Sequence, residues 1–190
     1  MRYILFLFVF VYSFSGISQV KYEKERRVKV EEVPFEALNF IQEFLPERKV
    51  KWFYEEGTFG NSFESKFKND GLKYSVEFDT IGKIQDVEII IQIDEIERYV
   101  YDRIKSTLNQ LLENYSIQKT QIQYIGNVYD LLSLNDLKKA HIQQLGIAYE
   151  LVVKGKFEGK VKLLEFNFSQ TGDLIQQSEL QLQNFDNLEY

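Results

Sequence analysis

Phe78-Asp79-Thr80-Ile81-Gly82-Lys83-Ile84 is echoed ninety positions later by Phe168-Ser169-Gln170-Thr171-Gly172-Asp173-Leu174. In both copies an aromatic closes an alternating apolar run, turn residues end in glycine, and an aliphatic residue restarts a run. This is the pattern of a β-hairpin whose glycine takes a conformation that side-chain-bearing residues avoid. A chain that writes one hairpin twice commits both halves to antiparallel sheet of similar layout.

The residues around each copy extend the likeness. Pro34 suits a helix start, Phe35, Leu38, Ile41 and Leu45 recur at helical spacing, and Pro46 stops the run. Period two follows: Val50, Trp52 and Tyr54, then Phe63 and Phe67, then Leu72, Tyr74, Val76 and Phe78, then Val87, Ile89, Ile91 and Ile93. Gly57–Asn61 and Asn69-Asp70-Gly71 supply the turns. Asp94 and Glu97 resemble a helix cap, and Val100, Ile104, Leu108, Leu111 and Tyr115 form the next apolar stripe. Strands are expected again over 117–125, 147–153, 161–168 and 174–182. Between them lies an insertion, 126–146, with a short helix near 133–145 capped by Ser133 and turning Leu134, Leu137 and Leu145 inward. The expected fold class is α+β: two tandem units, 34–95 and 96–183, each a helix on an antiparallel meander of about four strands.

Outside the units the sequence changes character. Arg2, an apolar run from Tyr3 to Tyr12, and small residues Gly16 and Ser18 describe a signal peptide over 1–18, cleaved after Ser18. The run is too short for a membrane anchor, which needs about 20 apolar residues. Residues 19–33 read as a charged, irregular lead-in, with Val28 and Val30 catching an edge of the fold, and 184–190 as a polar tail. The chain has no cysteine, which excludes disulfides, thiolate metal sites and a lipidated cysteine. Export without cysteine suits a bacterial periplasm or secreted protein. The net charge of −6 has no basic stripe, which argues against nucleic acid as a partner.

A leader, then Val33-Pro34 and helix, Tyr74-Ser75-Val76-Glu77-Phe78-Asp79-Thr80-Ile81-Gly82, Tyr149-Glu150-Leu151, and Phe166-Asn167-Phe168 with Gly172, resemble the exported PepSY-like proteins of Bacteroidetes. Those proteins are also similar in fold to β-lactamase inhibitor protein. The resemblance spans nearly all of 34–182 and departs at Ser169, which stands where the first copy has Asp79, and at the long insertion. It implies an envelope protein of a family with no established activity, with protein binding or inhibition suggested by analogy of fold; the expected partner is another envelope protein or a peptide.

Catalysis is poorly supplied. His141 is the single histidine, Ser133 and Ser178 lack a nucleophile elbow, and Asp70, Asp79 and Asp173 flank turn glycines, where aspartate caps backbone. The chain is read as a non-enzyme, with no cofactor and no metal implied. Recognition is the remaining chemistry. Phe59, on the glycine-flanked Gly57–Asn61 turn, is either a partner anchor or a lid folded back over the core. Phe53 and Ile90 share a sheet face with Lys51, Glu64, Lys66, Lys73 and Glu77. That face is an ordinary solvated one, a binding surface, or the place where the two units meet. The candidate partner-binding residues are Phe59, Phe53, Lys51, Glu64, Lys66 and Lys73. The alternative is a small-ligand carrier, with an apolar pocket between helix and sheet among Trp52, Tyr54, Phe63, Phe67 and Tyr74.

Overall fold

Strand alternation gives every strand two faces, and in this chain one is apolar and the other charged. A computed structural model describes residues 19–45 and 50–182. The signal peptide, Pro46 and the polar tail expected from the sequence lie outside the described residues. In chain order the elements are β1 (Gln19–Val28), α1 (Phe35–Phe44), β2 (Lys51–Gly57), β3 (Gly60–Asn69), β4 (Leu72–Asp79) and β5 (Ile84–Ile90). They continue with α2 (Arg98–Leu111), β6 (Tyr115–Ile125), α3 (Val128–Leu132), β7 (Gly146–Phe157), β8 (Lys160–Ser169) and β9 (Leu174–Leu182).

The strands form one closed barrel in sequence order. Neighbours run antiparallel, and β9 returns parallel beside β1, with Lys21 opposite Leu180. This corrects the expected α+β architecture of two tandem units. β5 pairs with β6, from Val87 opposite Tyr124 to Ile90 opposite Gln121, so the two meanders are one sheet. The segment expected as an irregular lead-in is in fact β1, the strand that closes the barrel.

The apolar faces point outward and are covered by helices. Ala37, Phe40, Ile41 and Phe44 of α1 bury against Trp52, Phe67, Tyr74, Val76 and Phe78. Phe78 is fully buried, its ring 5.7 Å from that of Phe40 and 5.8 Å from that of Trp52. Val100, Ile104 and Leu108 of α2 cover Leu151, Val153, Leu164, Phe166 and Phe168 in a second cluster. Each large side chain so buried contributes about 1.5–3 kcal/mol. α2 spans 98–111, shorter than the stripe to Tyr115 suggested, and its N-cap is Glu97, with Ile93–Glu95 a separate 3-10 turn.

The insertion ties the halves together. Its helix is α3, capped by the Asn127 side chain, followed by 3-10 turns at Ser133–Asn135 and Ile142–Gln144 in place of the helix expected near 133–145. Leu131, Leu134 and Leu145 join the core beneath α1, in the other half of the sequence. The Asn69 side-chain amide donates to the Asn135 carbonyl at 3.1 Å.

The repeated turns seat the helices. Asp79 Oδ1 accepts from the backbone N–H of Ile81 at 3.0 Å and of Lys83 at 2.8 Å. Ser169 Oγ accepts from Thr171 at 3.2 Å and Asp173 at 3.1 Å, so serine fills the aspartate's role. A register shift precedes each closing phenylalanine, at Glu77/Phe78 and Asn167/Phe168. Gly82 and Gly172 have φ of +91° and +81°. A Cβ at Gly82 would lie 2.8 Å from Pro34 Cβ, and one at Gly172 would lie 2.9 Å from the Val100 carbonyl oxygen. Both glycines therefore permit left-handed backbone and close approach of a helix. Gly71→Ala, at φ +85° in open space, should cost about 1–2 kcal/mol for conformation alone. Gly82→Ala and Gly172→Ala should each cost about 1–3 kcal/mol more through overpacking, read from urea unfolding midpoints.

Candidate functional site

Closing the sheet turns its charged face into a lumen. A cavity of about 380 Å³ occupies it, lined among others by Lys21, Glu23 and Glu25 of β1, Glu55 of β2, Glu64 and Lys66 of β3, and Glu77 of β4. Glu88 of β5, Lys119 and Gln123 of β6, Glu150 of β7 and Glu165 of β8 complete the wall. The Gly57–Asn61 turn lies at one end. Thr58 clips that turn to β1: its hydroxyl oxygen accepts from the Tyr22 N–H at 2.8 Å, and its own N–H donates to the Tyr22 carbonyl at 3.1 Å.

Lysines bridge strands across this space. Lys21 Nζ lies 2.5 Å from Glu23 and 2.9 Å from Glu165. Lys66 Nζ lies 2.9 Å from both Glu25 and Glu64. Burial alone would lower both ammonium pKa values, but the carboxylates around them raise them above the usual lysine range. The acids shift upward as well. Burial, reinforced by neighbouring carboxylates, pushes Glu55 to about 9 and Glu165 to about 8. Glu25, Glu77, Asp86 and Glu88 are raised for the same first reason, burial.

The strand register explains the crowding. Glu64 is opposite Glu77 and Glu77 is opposite Asp86, so three carboxyls share one row across β3, β4 and β5. Like charges directly opposed are destabilising. Asp86 is 6% exposed; its Oδ2 accepts from Gln123 Nε2 at 2.9 Å, while its Oδ1 has no partner. Glu88 accepts from Gln121, and Ser75 donates to Glu64.

The residues singled out from sequence fall as follows. Glu64 and Lys66 stand together in the lumen. Phe53 is on the same register, its ring 4.9 Å from Lys66 Nζ. Lys51, two positions before Phe53 and opposite Lys66, is exposed. Lys73 borders a far smaller cavity of about 20 Å³ with Ser75, Ile90 and Gln121. Phe59 lies at the tip of its turn, 61% exposed, and is not a lid on the core. His141 is on the surface, 3.3 Å from Asp130. Among the described residues no group of three or more His, Cys, Asp or Glu side chains has the geometry of a metal site. Sequence reading missed Lys21, Glu23, Glu25, Glu55, Glu88, Lys119, Glu150 and Glu165. Their signal was present as alternation of charge, Lys21-x-Glu23-x-Glu25 and Asp86-x-Glu88, but only closure shows that these faces meet.

No protein-family model and no curated protein matches the sequence. Solved structures do share its fold. A DUF2874 family protein from Bacteroides ovatus superposes with a TM-score of 0.53 at 11% identity, covering 77% of this chain and 87% of that one. A Bacteroides eggerthii chain provisionally described as periplasmic gives 0.50 at 12% identity, over 77% and 88%. A chain from Bacteroides fragilis described as BLIP-like gives 0.47 at 15% identity, over 77% and 86%. The chain thus has the fold of Bacteroides DUF2874 structures. That likeness gives no support to the PepSY resemblance in particular, nor to tandem units.

The shifted carboxyls set a pH dependence of stability. A carboxyl raised above its unfolded value stabilises the fold fully below about pH 4.5 and loses that contribution as pH rises through its folded value. Glu55 and Glu165 place the loss between about pH 4.5 and 9, and the other raised acids act in the same direction. The raised lysines lose their contribution only above about pH 10.5, and the lowered, exposed Glu32 and Asp136 lose theirs below about pH 4.5. Calorimetric Tm should therefore peak near pH 5 and fall steadily toward pH 9; a rise over that interval would contradict this electrostatic account.

Proposed function

We propose that this chain is a non-enzymatic binding protein of the bacterial envelope that holds a small polar ligand in the barrel lumen. The observation that carries this reading is the cavity itself: about 380 Å³, walled by buried and half-buried charged side chains. That volume falls within the range of small-molecule sites. Its lining is charged, so the ligand must carry complementary polar groups; an apolar ligand between helix and sheet does not fit the dense aromatic contacts there. An envelope location draws on the leader-like start of the sequence and on the periplasmic description of one structural neighbour.

A second reading, recognition of an envelope protein or peptide, is favoured by Phe59. A large apolar side chain 61% exposed on a clipped turn has the form of an interface anchor.

Native mass spectrometry of protein recovered from its own envelope separates the two. Lumen binding predicts a retained small molecule that is lost in a Glu64→Leu/Glu77→Leu variant and kept in Lys162→Gln, which lies outside the cavity lining. Surface recognition predicts a protein or peptide adduct lost in Phe59→Ala, with Tm unchanged. An adduct-free spectrum of freshly isolated protein would remove the lumen reading.

A further inference from the structure

The two repeated turns, with the strands that flank them, provide an internal control on the lumen. The row Glu64–Glu77–Asp86 has an equivalent row in the second half, placed by the same strand pairing: Glu150 opposite Asn167, and Asn167 opposite Gln176. Asn167 precedes Phe168 as Glu77 precedes Phe78, and Gln176 stands nine residues beyond Asn167 as Asp86 stands beyond Glu77. At these sites the barrel is therefore built equally well with amides, which hydrogen-bond without charge. The acids of the first copy are not demanded by the strand geometry.

They also exceed the cations available. Among the described residues eight glutamates and three lysines line the cavity. Lys21 is occupied by Glu23 and Glu165, and Lys66 by Glu25 and Glu64. Glu55, Glu77, Glu88 and Glu150 face the cavity with Lys119 as the remaining cation. Asp86, opposite Glu77 and behind the cavity lining, has Oδ2 bonded to Gln123 and Oδ1 without a donor while more than nine-tenths buried. An unsatisfied buried acceptor costs about 1–3 kcal/mol, and more when charged. What this wall lacks is N–H donors carrying positive charge.

We propose that the lumen ligand is a small linear polyammonium ion, held through the surplus carboxylates around Glu77 and Asp86. This rests on the lumen being a ligand site and names the ligand's chemistry. A divalent metal gathers its ligands about one point at 2.0–2.6 Å, whereas these carboxylates are spread over β2, β4, β5 and β7, and among the described residues no three acids are placed to hold one ion. Ammonium groups separated by methylenes match spread acceptors, each taking charge-assisted bonds of about 2.7–2.9 Å. Where burial holds Glu55, Glu77 or Glu88 protonated, entry of the cation releases protons.

The test is isothermal titration of the full purified chain with spermidine at about pH 8, in two buffers of different ionisation enthalpy. Saturable one-to-one binding with net proton release is expected. The double variant Glu77→Asn/Asp86→Gln installs the second copy's own residues, so it should fold, and it should weaken binding at least about tenfold. A Lys162→Gln variant, outside the cavity lining, should leave affinity unchanged. Saturable calcium binding without spermidine binding would overturn the polyammonium assignment, as would spermidine affinity untouched in the double variant. If spermidine does not bind but native mass spectra retain an uncharged or anionic molecule, the ligand class fails and the lumen site stands. If the spectra are empty as well, both fail.

Discussion

An odd number of strands cannot close a ring in which every neighbour runs antiparallel; one pair must be parallel. Here that pair is β1 with β9, and the rest of the barrel depends on it. Without β1 the charged face would be an open sheet, and no lumen would exist. Parallel pairing is slightly weaker per residue, and β1 has few apolar side chains to offer, Val28 being its buried one. Lumen ion pairs secure it instead. Lys21 reaches over β9 to Glu165 on β8, and Glu25 reaches over β2 to Lys66 on β3.

Buried ion pairs are costly unless their geometry is good and their remaining valences are filled. Each of the two lysines meets two carboxylates within 3 Å, which answers that requirement locally. The polar interior has a second consequence. A barrel with charge inside must place its apolar faces outside and then hide them, and this is the work of α1, α2 and the insertion. The helices are thus not the lids of two separate small domains. They are a jacket on one barrel, and Leu131, Leu134 and Leu145 extend that jacket from the second half of the sequence onto the first.

Local features of this architecture were legible in the sequence and long-range ones were not. The two turns, the strands that flank them and the helices over them follow from glycine position and from periods of two and 3.6, which are short-range signals. Ser169 read as a departure from Asp79, yet the two side chains make the same pair of backbone bonds; acceptor position matters at that site, and charge does not. β1 was misread because strand recognition relies on an apolar face, and a seam strand between a charged lumen and solvent has little of one. The pairing of β5 with β6 leaves no mark in local pattern at all. The insertion was recognised, with its inward leucines, but its helix was placed too late because Asn127, not Ser133, caps it.

The comparison between copies bears on what the lumen is for. Where strands beside the repeated turns carry glutamate–asparagine–glutamine in one half and glutamate–glutamate–aspartate at the same register in the other, the shared backbone cannot be the reason for the difference. Nor can stability, because burial and neighbouring carboxylates raise Glu77 and Asp86, which works against the fold above acid pH. Glu77 and Asn167, one pair in that asymmetry, line the cavity itself, while the outward aromatic positions Phe78 and Phe168 are kept alike and fully buried. A difference that costs stability, lies on the lumen face of the strands and is absent from the jacket has the distribution expected of a binding site. The repeated hairpins set the shape of the lumen, and the unrepeated charges within it set its chemistry.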